Sequence, residues 1–199
     1  PIAAAQRDIM AFANEILTFV SNGTSWYLVG RSNPAIGWQL VAKSGSTEGT
    51  TTSTSPATII TVSSLNIPTT YWVRIRGQYR KSAGAATCCA LGLTINGTAV
   101  VTPNGAVAGD GIAVTGATSE AQSGVFEVLI PPRAATYLRG LSSTYAYSGA
   151  TDVGAGVGPD IVLSNDIPNA TITSIIITGD TTNVANTIGV NNVTVEVLA

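Results

Sequence analysis

From Ala57 to the C-terminus the chain is a succession of short strand-like runs: "ATIITVSSL", "YWVRIRGQY", "CALGLTING", "GIAVTG", "GVFEVLIPP", "STYAYSG", "TITSIIITGD" and "NVTVEVLA". Each is rich in Val, Ile, Thr or Tyr and is bounded by Gly, Asn, Asp or Pro, which supply the turns. No helical period separates them. Parallel strands need long crossovers, usually helices, so the pattern predicts an antiparallel β-sandwich or barrel. In "TINGTAV", Asn96-Gly97 stands between two strand-like runs and predicts a tight hairpin, because both residues tolerate positive φ.

The N-terminal segment reads differently. In "PIAAAQRDIMAFANEILTFVSNG" the apolar positions Ile2, Ala5, Ile9, Phe12, Ile16 and Phe19 recur at alternating spacings of three and four. That is a heptad seam, and Asn22-Gly23 after it reads as a helix stop. So short a stripe needs a surface to bury against: the body, sister subunits or a partner's groove. The organisation expected is a helix over 1–23 for docking or oligomerisation, a linker with first strands over 24–56, and a β-sandwich over 57–199. Within the linker, "SGSTEGTTTSTSP" is too polar to pack and reads as a surface loop.

Charged side chains make up 10% of the 199 residues, against about 25% in ordinary soluble domains, while 45% are apolar. Such a surface loses little hydration energy when it packs against copies of itself. The net charge of −2 argues against general nucleic-acid binding. No apolar run reaches the roughly 20 residues of a membrane helix, and "PIAAAQRDIM" shows neither the basic nor the apolar part of a signal peptide. Pro1 reads as the residue left after removal of an initiator Met, so synthesis in a cytoplasm is expected, or cleavage from a precursor. Cys88 and Cys89 are adjacent, which disfavours a disulfide between them, and they read as reduced, small apolar residues. With no His and no CxxC, neither a metal site nor a cofactor is expected.

Four of the nine Lys and Arg residues crowd into "TYWVRIRGQYRK". Strand parity puts Val73, Ile75, Gly77 and Tyr79 on one face and Trp72, Arg74, Arg76, Gln78 and Arg80 on the other. The apolar row is expected to face the core. Two readings of the other row stand: a solvated face whose arginines pair with scattered acids, or a subunit interface, best served by carboxylates from a neighbouring copy. The interface residues expected are thus Ile9, Phe12, Ile16 and Phe19 on the helix and Trp72, Arg74, Arg76 and Arg80 on the strand. Tyr145 and Tyr147, together with Tyr137 and Trp72, are candidates for stacking on a sugar ring.

Catalytic signatures are weak. Asp152 and Asp160 are the acids that come nearest to a hydrolytic pair or a Ca²⁺ site, but the acids mostly occupy Gly-rich turns, where Asp serves the local backbone. Absence of His removes a Ser-His-Asp triad. "VGAGVGPD" imitates a dinucleotide fingerprint, yet Pro159 and a strand follow it where a helix is required. The sequons at Asn22, Asn96, Asn169 and Asn192 are expected to be empty.

"WQLVAKS", the polar tract, "ATIITVSSLNIPTTYWVRIRGQYRKSAG", "LGLTING", "GVFEVLIPP" and "TITSIIITGD…GVNNVTVEVL" together resemble a β-sandwich domain of tailed-phage virion proteins. The resemblance spans about residues 37 to 199; the polar tract is longer than in that family. It implies a non-enzymatic structural subunit of a virus particle, in a tail, fibre, baseplate or head decoration, often trimeric and without cofactor. The fold expected is therefore an all-β, jelly-roll-like antiparallel sandwich with a short N-terminal helix. The partners expected are copies of the chain, other virion proteins and a host-surface glycan, but neither nucleic acid nor membrane. The rival readings are a carbohydrate-binding module for host attachment, a hydrolase and a cell-surface pilin-like subunit.

Overall fold

The computed structural model describes residues 16–32, 37–104, 111–116, 119–133, 141–145 and 165–198. Every regular element among them is a strand. They are β1 (Ile16–Ser21), β2 (Trp26–Ser32), β3 (Gln39–Lys43), β4 (Gly49–Thr51), β5 (Ala57–Val62), β6 (Trp72–Lys81), β7 (Ala90–Ile95), β8 (Thr98–Val101), β9 (Ala113–Val114), β10 (Gln122–Ile130), β11 (Leu141–Tyr145), β12 (Ile175–Asp180) and β13 (Ile188–Leu198).

Two antiparallel sheets form the body. One runs β11-β10-β6-β13-β3, with β4 also on β13; the other runs β5-β12-β7-β8, with β9 on β7. The eight principal strands, in chain order, are β3, β5, β6, β7, β8, β10, β12 and β13. By that order the first sheet reads first, eighth, third, sixth, and the second reads second, seventh, fourth, fifth. This is the jelly-roll arrangement, in which the chain crosses repeatedly between the layers as two interlocked Greek keys. The all-strand sandwich expected from the sequence is the fold observed.

Alternation builds the core. β6 buries Val73, Ile75, Gly77 and Tyr79 as parity predicted. They join Phe126, Val128 and Ile130 of β10 and Val195 and Val197 of β13 against Leu91, Leu93, Ile175 and Ile177 of the second sheet. Two glycines make room for rings. Gly77 lies opposite Phe126 and Gly124 opposite Tyr79, and a Cβ on either glycine would stand 2.6 or 2.8 Å from the ring across the ladder. Asn96 and Gly97 both take positive φ, 51° and 82°, and close the predicted β7–β8 hairpin. The Asn96 side chain also donates to Thr171 O (2.8 Å) and accepts from Thr173 N (2.8 Å), tying this turn to the chain entering β12.

The N-terminal segment departs from expectation. Residues 1–15, including Ile9 and Phe12, lie outside the described residues. Ile16 and Phe19, placed on the helical seam, belong instead to β1, which pairs antiparallel with β2, Phe19 opposite Leu28. "ILTFV" is a β-branched and aromatic run that suits a strand as well as a heptad, and Asn22-Gly23 turns a hairpin where a helix stop was read. There Asn22 Oδ1 accepts from Thr24 N (3.0 Å) and Ser25 N (2.9 Å), and Gly23 has φ 91°. The polar tract is also more than a loop: Gly49–Thr51 pair with Ile188–Val190. Backbone pairing there needs no apolar side chain, so composition did not reveal it.

Candidate interaction face

The outward face of the first sheet carries the arginine row, and register fixes its neighbours. Crossing the strands, Leu40, Glu196, Arg74 and Leu129 lie in one line; Thr194, Arg76 and Glu127 lie in the next. Strand residues directly opposite share a face, so Arg74 and Arg76 each meet an acid by register alone. Arg74 Nε reaches Glu196 Oε2 at 2.5 Å, with both side chains about one-fifth exposed. Its guanidinium also lies 4.4 Å from the centroid of the Trp38 ring. Arg76 Nε pairs with Glu127 Oε2 at 3.3 Å in a more exposed setting.

Arg80 depends on longer-range contacts. Its register partner on β13 is Gly189, and the Glu48 side chain lies over that glycine, where a Cβ would collide with the carboxylate. Glu48 accepts from Arg80 Nε and, at 2.6 Å, from Nη2, a bidentate pair. Hydrogen bonding to Glu48 first, and its charge second, push the Arg80 guanidinium above its usual value. Lys81, grouped with these cations in the sequence, faces the other way: it is buried and its Nζ donates to Ala85 O at 3.4 Å.

β13 bulges in the middle of this face. Asn192 and Val193 stand together opposite Gly77; Asn192 takes φ 49°, and Val193 drops into the core. Ser44, the residue after the edge strand β3, holds the bulge, its N donating to Val193 O (2.7 Å) and its Oγ accepting from Val193 N (3.0 Å). Outside the bulge is an open depression of 320 Å³ edged by Arg76, Gln78, Glu127, Asn192 and Glu196. Asn192 Nδ2 donates to Gln78 Oε1 across it at 3.0 Å.

Apolar side chains stand free around the ion pairs. Trp72 is 40% exposed, Leu40 55%, Val41 44% and Val125 45%. Each arginine of the row is thus paired with a carboxylate of the same chain, and exposed apolar groups flank the pairs. The acids the arginines use come from the same chain, as the solvated-face reading expected; no carboxylate from a neighbouring copy is required to neutralise them.

Tyr145 closes β11, in register with Val125, while Tyr137, Tyr147, Asp152, Asp160 and the glycine-rich 153–160 stretch lie outside the described residues. Glu48, Glu127, Glu196, Trp38, Leu40 and Val125 were not singled out from the sequence. Glu127 and Glu196 had a legible signal, a lone acid at an outward position of an apolar strand; Glu48 had none, because only the fold brings it to Arg80. Among the described residues no group of three Cys, Asp or Glu side chains is placed to hold a metal ion. Both cysteines are free thiols. Burial pushes Cys89 up to about 11 and raises Cys88 as well, against a partly opposing Lys81 charge.

Comparison of the chain with protein-family models, with curated proteins and with solved structures finds no match.

Proposed function

We propose that this chain is a non-enzymatic structural subunit of a virus particle, made in the host cytoplasm. In this reading it forms trimers at the particle surface, as capsid decoration, fibre or tail component, and meets other virion proteins there. The observation that carries the reading is the outward sheet face. Its arginines are already neutralised by Glu196, Glu127 and Glu48, and Trp72, Leu40, Val41 and Val125 stand exposed around them. Apolar contacts of this kind supply association energy, and the arginines, already paired within the chain, need no carboxylate from a partner. Jelly rolls are used in capsids, among other places, which supports the reading by analogy of fold only.

The test is the mass of the full chain in solution by light scattering. A trimer at micromolar concentration is expected, and Leu40→Asp with Trp72→Ser should give a monomer whose circular dichroism is unchanged. A wild-type chain that stays monomeric overturns the proposal. A second reading, glycan contact during host attachment, draws on the same exposed Trp72, since aromatic faces stack on sugar rings. It predicts quenching of tryptophan fluorescence by a soluble glycan, lost in Trp72→Ser.

A further inference from the structure

One end of the sandwich buries an amine and an amide close together. Lys81 closes β6, in register with Gln122 of β10 on one side and Ile188 of β13 on the other. Both ladders run on past the strand ends: Ser82 N donates to Thr187 O and Gly84 N to Ser119 O, each at 2.9 Å. Since Lys81 faces Gln122 and Ile188, Ala83 faces Glu120 and Asn186. Glu120 and Asn186 therefore lie diagonally across from Lys81 on its two sides. Cα atoms so related stand about 7–8 Å apart, within reach of a side chain as long as lysine's.

The two side chains converge on one loop. Lys81 is 1% exposed and its Nζ donates to Ala85 O at 3.4 Å. Asn186 is fully buried, and its Oδ1 lies against Gly84, where a Cβ would stand 2.6 Å from it. Amine and amide thus rest on consecutive residues. Asn186 Nδ2 donates to Thr87 Oγ1 at 2.7 Å, while Oδ1 has no hydrogen-bond partner among the described residues. The amide is held by its nitrogen, and its carbonyl is left open to a proton donor. Glu120 is half-buried on the other side of Lys81. Asp180, also buried at this end, is held by its own turn, Oδ1 accepting from Thr182 N at 2.9 Å. Desolvation activates a lysine as a nucleophile, and burying an ammonium costs far more than burying an amide.

We propose that Lys81 and Asn186 join in an intramolecular isopeptide bond, with Glu120 carrying the proton. Glu120 takes one proton from the Lys81 ammonium, and the neutral Nζ attacks Asn186 Cγ while Glu120 passes that proton to Oδ1. The Cγ–Nδ2 bond then breaks. Nδ2 takes the relayed proton and a second one from Nζ and leaves as ammonium; Glu120 is again a carboxylate, and the Nζ–Cγ amide remains. No oxidant or cofactor is needed, and burial keeps water from competing with the amine. The bond ties the end of β6 to the entry of β13 and closes a covalent ring around the strands between them. It does not rest on the self-association proposed above, since a monomer can carry it equally well.

Mass spectrometry of the denatured full chain tests this. The wild type should be lighter than its sequence by one ammonia. Trypsin then locates the loss: an acylated Lys81 is not cut, so fragment 81–133 should emerge joined to fragment 140–199, which contains Asn186. Lys81→Arg and Asn186→Ala should show their full mass and no joined fragment, and Glu120→Gln should do the same with an unchanged circular dichroism spectrum. Lys81→Arg should also melt at least about 5 °C below the wild type, because the ring that restrains the unfolded chain is gone. A folded wild type of full mass overturns the inference, whatever the variants do. So does a wild type that has lost ammonia while 140–199 runs free, the result that cyclisation at Asn96-Gly97 would give. A Glu120→Gln chain that still links overturns the proton path assigned to Glu120.

Discussion

The two faces of β6 belong to one ten-residue strand and meet opposite conditions. Inward, Val73 and Ile75 are fully buried and Tyr79 is 3% exposed. Outward, Trp72, Arg76 and Arg80 are open to solvent, and the arginines are held by acids from β10 and from the turn before β4. The contrast teaches that the strand's stability and its surface chemistry are independently adjustable. Inner residues are constrained by volume, since the interior is close-packed, whereas outward Arg76 and Arg80 are constrained by charge pairing at a wet surface.

The largest expected effect lies inside. Phe126→Ala removes the ring that covers Gly77 and should cost about 3–5 kcal/mol in denaturant unfolding. A cost below about 1 kcal/mol would erase the distinction between the faces. Gly77→Ala should be milder, about 1–3 kcal/mol, because its Cβ would stand 2.6 Å from the Phe126 ring. Combined with Phe126→Leu it should cost clearly less than the sum of the two single changes, a coupling that a double-mutant cycle measures.

pH sharpens the inner side further. Cys89, 0% exposed, has its thiol pushed up to about 11, above the usual value of 9. The unfolded chain therefore loses this proton first as pH rises. The stability tied to the neutral thiol is complete below about pH 9 and lost on the way to 11, on the order of 2 kcal/mol. Denaturant titrations should show wild type declining relative to Cys89→Ala across that window; parallel curves would contradict the assigned cause. The outer face should give the smallest change. Arg76→Glu should cost under about 1 kcal/mol, since the pair it breaks is largely exposed, and Arg76→Glu with Glu127→Arg should recover most of the loss. A larger penalty from Arg76→Glu that the swap did not restore would mean that the outer face is packed rather than paired.

Much of this was written in the chain, and particular residues show where legibility ends. The alternation in "YWVRIRGQY" assigned each side chain of β6 to its face, and Asn96-Gly97 located the β7–β8 turn. "ILTFVSNG" satisfied two periods at once, and its pairing with "WYLVGRS" decided for the strand. The arginine row was visible, but its partners lie 32 to 122 positions away in sequence, and nothing near Arg74, Arg76 or Arg80 names Glu196, Glu127 or Glu48.

From Ala57 onward the sequence by itself determined a set of short amphipathic strands, because strand period and turn chemistry are local properties of a few adjacent residues. Only the tertiary structure decided that Arg133 is buried, that Arg80 finds Glu48, and that β4 emerges from a polar tract. Burial and ion pairing depend on which strands become neighbours, and in a jelly roll those neighbours come from opposite ends of the chain.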